Sequence, residues 1–161
     1  MDNGQWTMDN GQWTMDNGQW TMDNGQWIMD NKLMQNNVIL DKSFEFSVRI
    51  VKLKKYLNKC KQERIMANQL LRSGTSIGAN VTEADQAQSK ADFISKMCIA
   101  NKEAHETRYW IRLLHETDYI NDEEYSSIFE DCQELIRLLQ AIIKSAKKKL
   151  TNNIIINNDN R

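Results

Sequence analysis

Proline is absent from the 161-residue chain, and this absence narrows the choice of fold. Because proline is the commonest helix breaker, a chain without it favours a few long helices over a loop-rich or β-sandwich design. The sequence also has no apolar run approaching about 18 residues and no signal-peptide pattern, so we expect neither a membrane span nor export. The expectation is therefore an all-α protein of the cytoplasm.

Cysteine and histidine are scarce as well. The three cysteines, Cys60, Cys98 and Cys132, form no C-x-x-C pair and have no histidine at ligand spacing, so we expect reduced thiols. Neither His105 nor His115 has a glutamate three positions before it, as a carboxylate-bridged metal bundle requires. No nucleophile, base and orienting group converge on one face. We therefore expect no metal, no other cofactor and no enzymatic activity.

The N-terminal segment 1–28 consists of four copies of a seven-residue unit, MDNGQWT three times and MDNGQWI once. A period of seven could indicate a coiled coil, but each unit carries Asp-Asn-Gly and no branched aliphatic pair for the a and d positions. We expect 1–28 to be disordered or loosely turn-forming, with a linker over 29–40. Each copy supplies an in-frame methionine, and a fifth, partial copy begins at Met29, so our hypothesis is that translation starts at Met29 or that the repeats are a dispensable extension.

Helical periodicity begins near Asp41, a good N-cap residue, and the first predicted helix runs toward Lys59. Its core stripe comprises Phe46, Ile50, Leu53 and Leu57. Three further apolar residues, Phe44, Val48 and Val51, widen this stripe. The apolar face is therefore broad enough for contact with two neighbours.

The other side of the first helix is basic, and within 49–64 Glu63 is the single acidic residue. A run of this kind is usually a solvated helix face, and its alternative is a patch that contacts phosphates. The candidate phosphate contacts are Arg49, Lys52, Lys54, Lys55, Lys59 and Arg64.

The second predicted helix begins around Gln62 or Glu63 and carries Gly74 and Gly78 inside an apolar seam over 70–84. Each glycine should cost about 1 kcal/mol relative to alanine, so we expect a neighbouring backbone that comes too close for a side chain. A polar stripe adjoins the seam and suggests hydrogen bonds to a partner helix or subunit; it consists of Ser73, Ser76, Asn80 and Glu83. The residues assigned to packing or to an interface are Ser73, Gly74, Ser76, Ile77, Gly78, Asn80 and Glu83.

Two capping boxes mark the remaining helices. Ser89 followed by Asp92 opens the third helix, and Asn121 followed by Glu124 opens the fourth. In each pair, the side chains satisfy backbone N–H groups that a helix start leaves without partners. Both are expected to fix where a helix begins.

Short polar links between four long helices force sequential neighbours, so the predicted architecture over 41–150 is an antiparallel up-down-up-down four-helix bundle. The tail 151–161 is expected to be disordered. The first and fourth helices carry more apolar surface than one bundle uses, and we expect that surplus to serve self-association. The residues alone leave the copy number open.

The run QLLRSGTSIGANVTEADQAQSKADF, followed by KEAHETRYWIRLL, resembles the bacterial four-helix bundle family encoded by intervening sequences inside 23S ribosomal RNA genes. The likeness covers 44–146, and its more specific positions are 76–80 and Glu83. The family is more distantly similar to the accessory variability proteins of diversity-generating retroelements, which form a pentameric barrel that binds nucleic acid and a reverse transcriptase. The resemblance implies a ring-forming bundle, such as a pentamer, with an RNA-related role and no enzymatic activity.

The net charge of the predicted bundle gives only weak support for nucleic-acid binding. Residues 29–150 contain 20 Lys and Arg against 17 Asp and Glu, a net charge of +3, whereas a dedicated nucleic-acid binder is usually far more basic. The positive charge is concentrated on the first helix and at the end of the fourth, and a ring would repeat each patch. Two functions stay open: an oligomer that associates with RNA or DNA, and a structural or adaptor module that binds another protein.

Overall fold

The computed structural model describes the backbone of residues 6–9, 12–15, 20–23, 26–29 and 31–159, and the side chains of 38–148 and 150–151. It divides the chain into two compact units, Met1–Val38 and Ile39–Arg161. Among the described helices, none combines the length and the apolar character needed to cross a lipid bilayer.

Four helices account for the described part of the second unit, and the first of them begins before it. They are α1 (Asn31–Cys60), α2 (Ile65–Asp85), α3 (Lys90–Glu116) and α4 (Asp122–Asp159). Two ion pairs show the relative direction of α1 and α4. Lys42 contacts Glu134, and Arg49, further along α1, contacts Asp131, which comes earlier in α4, so the two helices are antiparallel. Within residues 31–159, the prediction of an all-α, antiparallel four-helix bundle is confirmed.

The hydrophobic core is built from one apolar stripe of each helix. Phe46, Ile50 and Leu57 of the stripe predicted for α1 are buried, while Leu53 is half-buried against them. The core residues of the other helices recur at the same three- and four-residue spacing, which places them on one helical face. Burial of these stripes supplies the main driving force for folding.

The helix ends differ from the predicted boundaries. α1 begins at Asn31 instead of Asp41, because Ile39 is fully buried and extends the core stripe into the predicted linker 29–40. α4 continues to Asp159 through the tail predicted to be disordered. Neither glycine nor proline occurs in the added stretch of either helix, so no residue there stops the helical backbone.

The capping box predicted at Asn121 forms in full, whereas at Ser89 only the N-cap bond forms and the Asp92 carboxylate accepts from the Gln88 amide instead. The Ser89 side chain accepts a hydrogen bond from the Asp92 amide at 3.1 Å. At the start of α4 the exchange is reciprocal: Asn121 Oδ1 accepts from the Glu124 amide at 2.8 Å, and Glu124 Oε2 accepts from the Asn121 amide at 3.0 Å. α2 has no capping box. It begins at Ile65, and the carboxylate of the buried Glu63 accepts hydrogen bonds from the first amides of the helix.

α1 and α2 approach closely at the two glycines. Gly74 and Gly78 are both buried. A Cβ added to Gly74 would lie 2.8 Å from Cγ1 of Ile50, and one added to Gly78 would lie 3.0 Å from Oγ of Ser47 and 3.3 Å from the Ser43 carbonyl oxygen. The close neighbour at both glycines is α1 of the same chain: a side chain, Ile50, at Gly74, and the Ser47 side chain together with the Ser43 backbone at Gly78.

The polar stripe beside the glycines meets α3 at two positions. Ser73 is fully buried, and its Oγ accepts a hydrogen bond from Oγ1 of Thr107 at 3.0 Å. Glu83 is exposed and forms an ion pair with Lys96. Asn80, in contrast, donates to a carbonyl of its own helix. The predicted bonds to a partner helix therefore exist at Ser73 and Glu83.

The repeat segment contains four short strands where disorder or loose turns were predicted. They are β1 (Trp6–Asp9), β2 (Gln12–Met15), β3 (Trp20–Asp23) and β4 (Gln26–Met29), paired antiparallel as β1 with β2 and β3 with β4. In the sequence, an Asn-Gly dipeptide separates the two strands of each pair, and such dipeptides commonly join paired strands.

Candidate nucleic-acid interface

The candidate interface is the solvent-facing side of α1. Phe46, Ile50 and Leu57 face the core, so residues on the opposite side of the same helix must face away from it. Lys52, Lys55 and Lys59 recur at spacings of three and four, and all three are exposed. Among the described side chains, none of them has an acidic partner within ion-pair distance. We call Lys52, Lys55 and Lys59 the α1 basic surface.

Arg49, by contrast, is engaged within the bundle. Its guanidinium forms an ion pair with Asp131 of α4 and donates from Nη2 to the Ser127 Oγ at 2.8 Å. A guanidinium that is neutralised and fixed in this way is not available to a phosphate without losing those bonds. Arg49 therefore joins α1 to α4, a role that its place in a basic run did not suggest.

The remaining predicted phosphate contacts lie at the margin of the α1 basic surface. Lys54 is half-buried, and in the favoured orientation of the Asn58 amide its Nζ donates to that side chain at 3.0 Å. Arg64 is exposed at the boundary that precedes α2. The structure thus places three of the six predicted cations on one exposed face and gives Arg49 and Lys54 neighbours within the chain.

An apolar stretch continues the same face toward the N-terminus of α1. Phe44 is 70% exposed and Val48 is 38% exposed, although both are large apolar residues. Along the helix, Val48 precedes Lys52 by one turn, so the apolar stretch and the basic surface adjoin. Of the three residues predicted to widen the stripe, Phe44 and Val48 are therefore not covered within the described part of the chain, whereas Val51 is half-buried.

Sequence reasoning missed a cleft between α1 and α4 beside the basic surface. It has a volume of about 450 Å³, and Tyr56 of α1 and Ile128 of α4 are among the residues that line it. Lys61 Nζ lies 6.0 Å from the centroid of the Tyr56 ring. An aromatic residue within a run of lysines was the available signal, because aromatic side chains interleaved with cations recur in single-strand binding.

The histidines make structural contacts. Burial and the neighbouring Arg108 guanidinium lower the pKa of His105, whose Nδ1 lies 3.1 Å from Arg108 Nη2. His115 pairs with Asp122 at 2.7 Å and stacks on Tyr125, which ties the end of α3 to the start of α4. In the part of the chain whose side chains are described, no three His, Cys, Asp or Glu residues are grouped to hold a metal ion.

These features define an antiparallel four-helix bundle with one cationic helix face. Residues 35–141 match the family model of the 23S rRNA-intervening sequence protein, and the chain belongs to this family. A crystal structure from Bacteroides thetaiotaomicron VPI-5482 is similar, with 58% sequence identity and a TM-score of 0.68 over 69% of this chain and 99% of that chain. That relative is described as a protein with unknown function from the S23 ribosomal protein family. A search of curated proteins finds no match.

Proposed function

We propose that this protein is a non-enzymatic homo-oligomer of the cytoplasm that associates with RNA through the α1 basic surface. The observation that carries the proposal is the alignment of Lys52, Lys55 and Lys59 on one exposed face without acidic partners among the described side chains. Cations in such a row can follow successive phosphates of a nucleic-acid strand, and each contact releases condensed counterions. The family description, which refers to 23S rRNA, supports RNA as the polymer. Three free cysteines support a reducing compartment.

Self-association would multiply the small positive charge that a single copy carries. A net charge of +3 over 29–150 is small for one copy, but a ring repeats the α1 basic surface once per subunit. The exposed Phe44 and Val48 support self-association, because uncovered apolar stretches of this kind commonly mark interfaces. A ring such as a pentamer is the form that we propose. Basic residues near the end of α4, among them Lys144 and Lys148, would add a second repeated patch.

The test of RNA association is a charge reversal with a matched control. We expect fluorescently labelled RNA to bind the full-length protein at low salt, and we expect binding to be lost in a variant with glutamate at positions 52, 55 and 59. The control places glutamate at Lys90, Lys102 and Arg112 of α3, which are also exposed and cause the same change in net charge. Absence of binding by the wild-type protein at low salt, or equal losses in both variants, would reject a specific role for α1.

A protein-binding adaptor is the second candidate function, and the exposure of Phe44 and Val48 is the observation that favours it. An adaptor would use this apolar stretch for a different protein and would have no affinity for RNA. Analytical ultracentrifugation separates the two ideas, because a self-associating protein sediments as an oligomer when purified alone. A monomer that does not bind RNA but recovers a defined protein partner would favour the adaptor.

A further inference from the structure

The cleft between α1 and α4 has one apolar wall and one polar rim. Tyr56 and Leu53 of α1 are half-buried beside it, and Ile128 of α4 is only 4% exposed. Their contact with the core holds the aromatic ring and the two aliphatic groups in place. A site of this composition fits a flat ring better than a flexible chain, because stacking on an aromatic side chain requires a planar partner.

The α4 side of the rim selects against phosphate. Glu123 and Glu124 of α4 both line the cleft, and the carboxylate of Glu124 already accepts the Asn121 amide through one oxygen. Among the described residues, the cations at the rim are on the α1 side: Arg49, which pairs with Asp131, and Lys52. Carboxylates accept hydrogen bonds from amino groups and repel phosphate oxygens. The preferred occupant is therefore a flat ring that carries N–H donors.

Lys52 connects this cleft to the α1 basic surface, since it belongs to both. We propose that the cleft takes one unpaired nucleobase from an RNA strand whose phosphates contact Lys52, Lys55 and Lys59. Tyr56 would stack on the base, and Glu123 would accept from its exocyclic amino group. This inference rests on the proposed function and adds the class of ligand, which is single-stranded RNA. Of the two pyrimidines, cytosine should be preferred to uracil, because only cytosine has an exocyclic amino group. In a duplex the bases are paired and stacked, so the cleft stays unused.

The test compares single-stranded and duplex RNA of equal length on the full-length protein, using fluorescence anisotropy. Tyr56→Leu keeps an apolar side chain against the core and removes the stacking ring. We expect it to weaken single-strand binding by about tenfold, within the range for loss of one base–aromatic stack, and to leave duplex binding unchanged. Tyr109→Leu is the control, because Tyr109 is a 58% exposed tyrosine on α3. Thermal unfolding of each variant verifies that the bundle is intact.

A second variant does not depend on packing. Glu123 is exposed, so Glu123→Gln leaves the core unchanged, and we expect it to reduce the preference for oligocytidine over oligouridine. Equal weakening of single-stranded and duplex binding by Tyr56→Leu, or wild-type binding of both RNAs by that variant, would overturn the cleft proposal while RNA association through α1 stands. If the wild-type protein binds neither RNA at low salt, the proposed function itself fails.

Discussion

At the scale of single residues, Glu63 shows how a buried charge can be stabilising. Its side chain is 8% exposed, and its carboxylate accepts hydrogen bonds from the amides of Ile65, Met66 and Ala67 at 2.7 to 3.0 Å. These N–H groups belong to the first turn of α2, where a helix has no internal acceptors and a negative charge meets the positive end of the helix dipole.

Replacement of this cap should destabilise the bundle. Glu63→Gln places an NH₂ group where one carboxylate oxygen accepts backbone N–H groups, so we expect a loss of about 1 to 2 kcal/mol in the free energy of unfolding. Urea unfolding followed by circular dichroism measures this change. Glu130→Gln on the exposed face of α4 is the matched control and should change stability by less than about 0.5 kcal/mol. Equal effects of the two substitutions would contradict the capping role.

The buried thiol of Cys132 makes the stability of the folded protein depend on pH in the alkaline range. The side chain is fully buried, its Sγ lies 3.4 Å from the Ala104 carbonyl oxygen, and burial raises the thiol pKa from its ordinary value of 9.0 to about 12. Because the folded-state pKa is raised, the stabilisation is complete below the unfolded-state pKa and is lost as pH rises from about 9 toward 12. The folded thiol therefore stays neutral where an unfolded thiol ionises.

We expect the wild-type protein to lose about 1 kcal/mol more stability between about pH 8 and 10 than Cys132→Val does, since each unit of pKa corresponds to about 1.4 kcal/mol. Urea unfolding at both pH values tests this difference. Thiol labelling gives an independent check: exposed Cys60 should react first, half-buried Cys98 more slowly, and Cys132 only after unfolding. Rapid native labelling of all three thiols would contradict the burial argument.

At the scale of helices, the crossing of α1 over α2 depends on Gly74. A methyl group there would meet Cγ1 and Cγ2 of Ile50 at 2.8 and 2.9 Å, so Gly74→Ala should overpack the crossing despite its better helix propensity. Ile50→Ala alone creates a cavity that costs about 2 to 5 kcal/mol, but it also makes room for that methyl group. We expect the double variant to lose at least about 1 kcal/mol less free energy of unfolding than the two single variants lose together. Additivity within about 0.5 kcal/mol in urea unfolding would argue against a steric contact.

The same crossing shows what sequence alone could predict. A glycine pair inside an apolar seam costs helix stability, so its presence indicated close packing before any neighbour was known. The N-cap bonds at Ser89 and Asn121 were predictable for a similar reason, because both partners lie within one turn of each other. Such local signals need no knowledge of the tertiary arrangement.

Features that depend on pairing between distant helices were not predictable. Arg49 belongs to a basic run by sequence, yet its partners Ser127 and Asp131 come from α4, and no local pattern sets the register of α1 against α4. The cleft at Tyr56 arises from that same register. Ile39 extended α1 past its expected cap because tertiary burial outweighs local capping preference.

At the scale of the whole molecule, assembly and RNA association would use adjoining parts of one helix face. Phe44 and Val48 lie toward the N-terminus of α1, and Lys52 begins the basic surface one turn beyond Val48. Subunits that pack through the apolar stretch would bring several basic surfaces onto one RNA. The number of phosphates neutralised would then exceed what a single copy can reach.

Salt dependence measures that number. The three lysines of one copy should give a slope of log Kobs against log salt concentration near −2 for single-stranded RNA, at about 0.7 per phosphate neutralised. If the protein assembles as proposed, the wild-type oligomer should show a steeper slope, because RNA would contact more than one subunit. Replacing Phe44 and Val48 with serine should then yield a folded monomer with a slope of about −2, because both side chains are partly exposed and would form the proposed interface. Ultracentrifugation establishes the mass of each form. A wild-type oligomer whose slope equals that of the monomer would mean that each copy binds RNA alone.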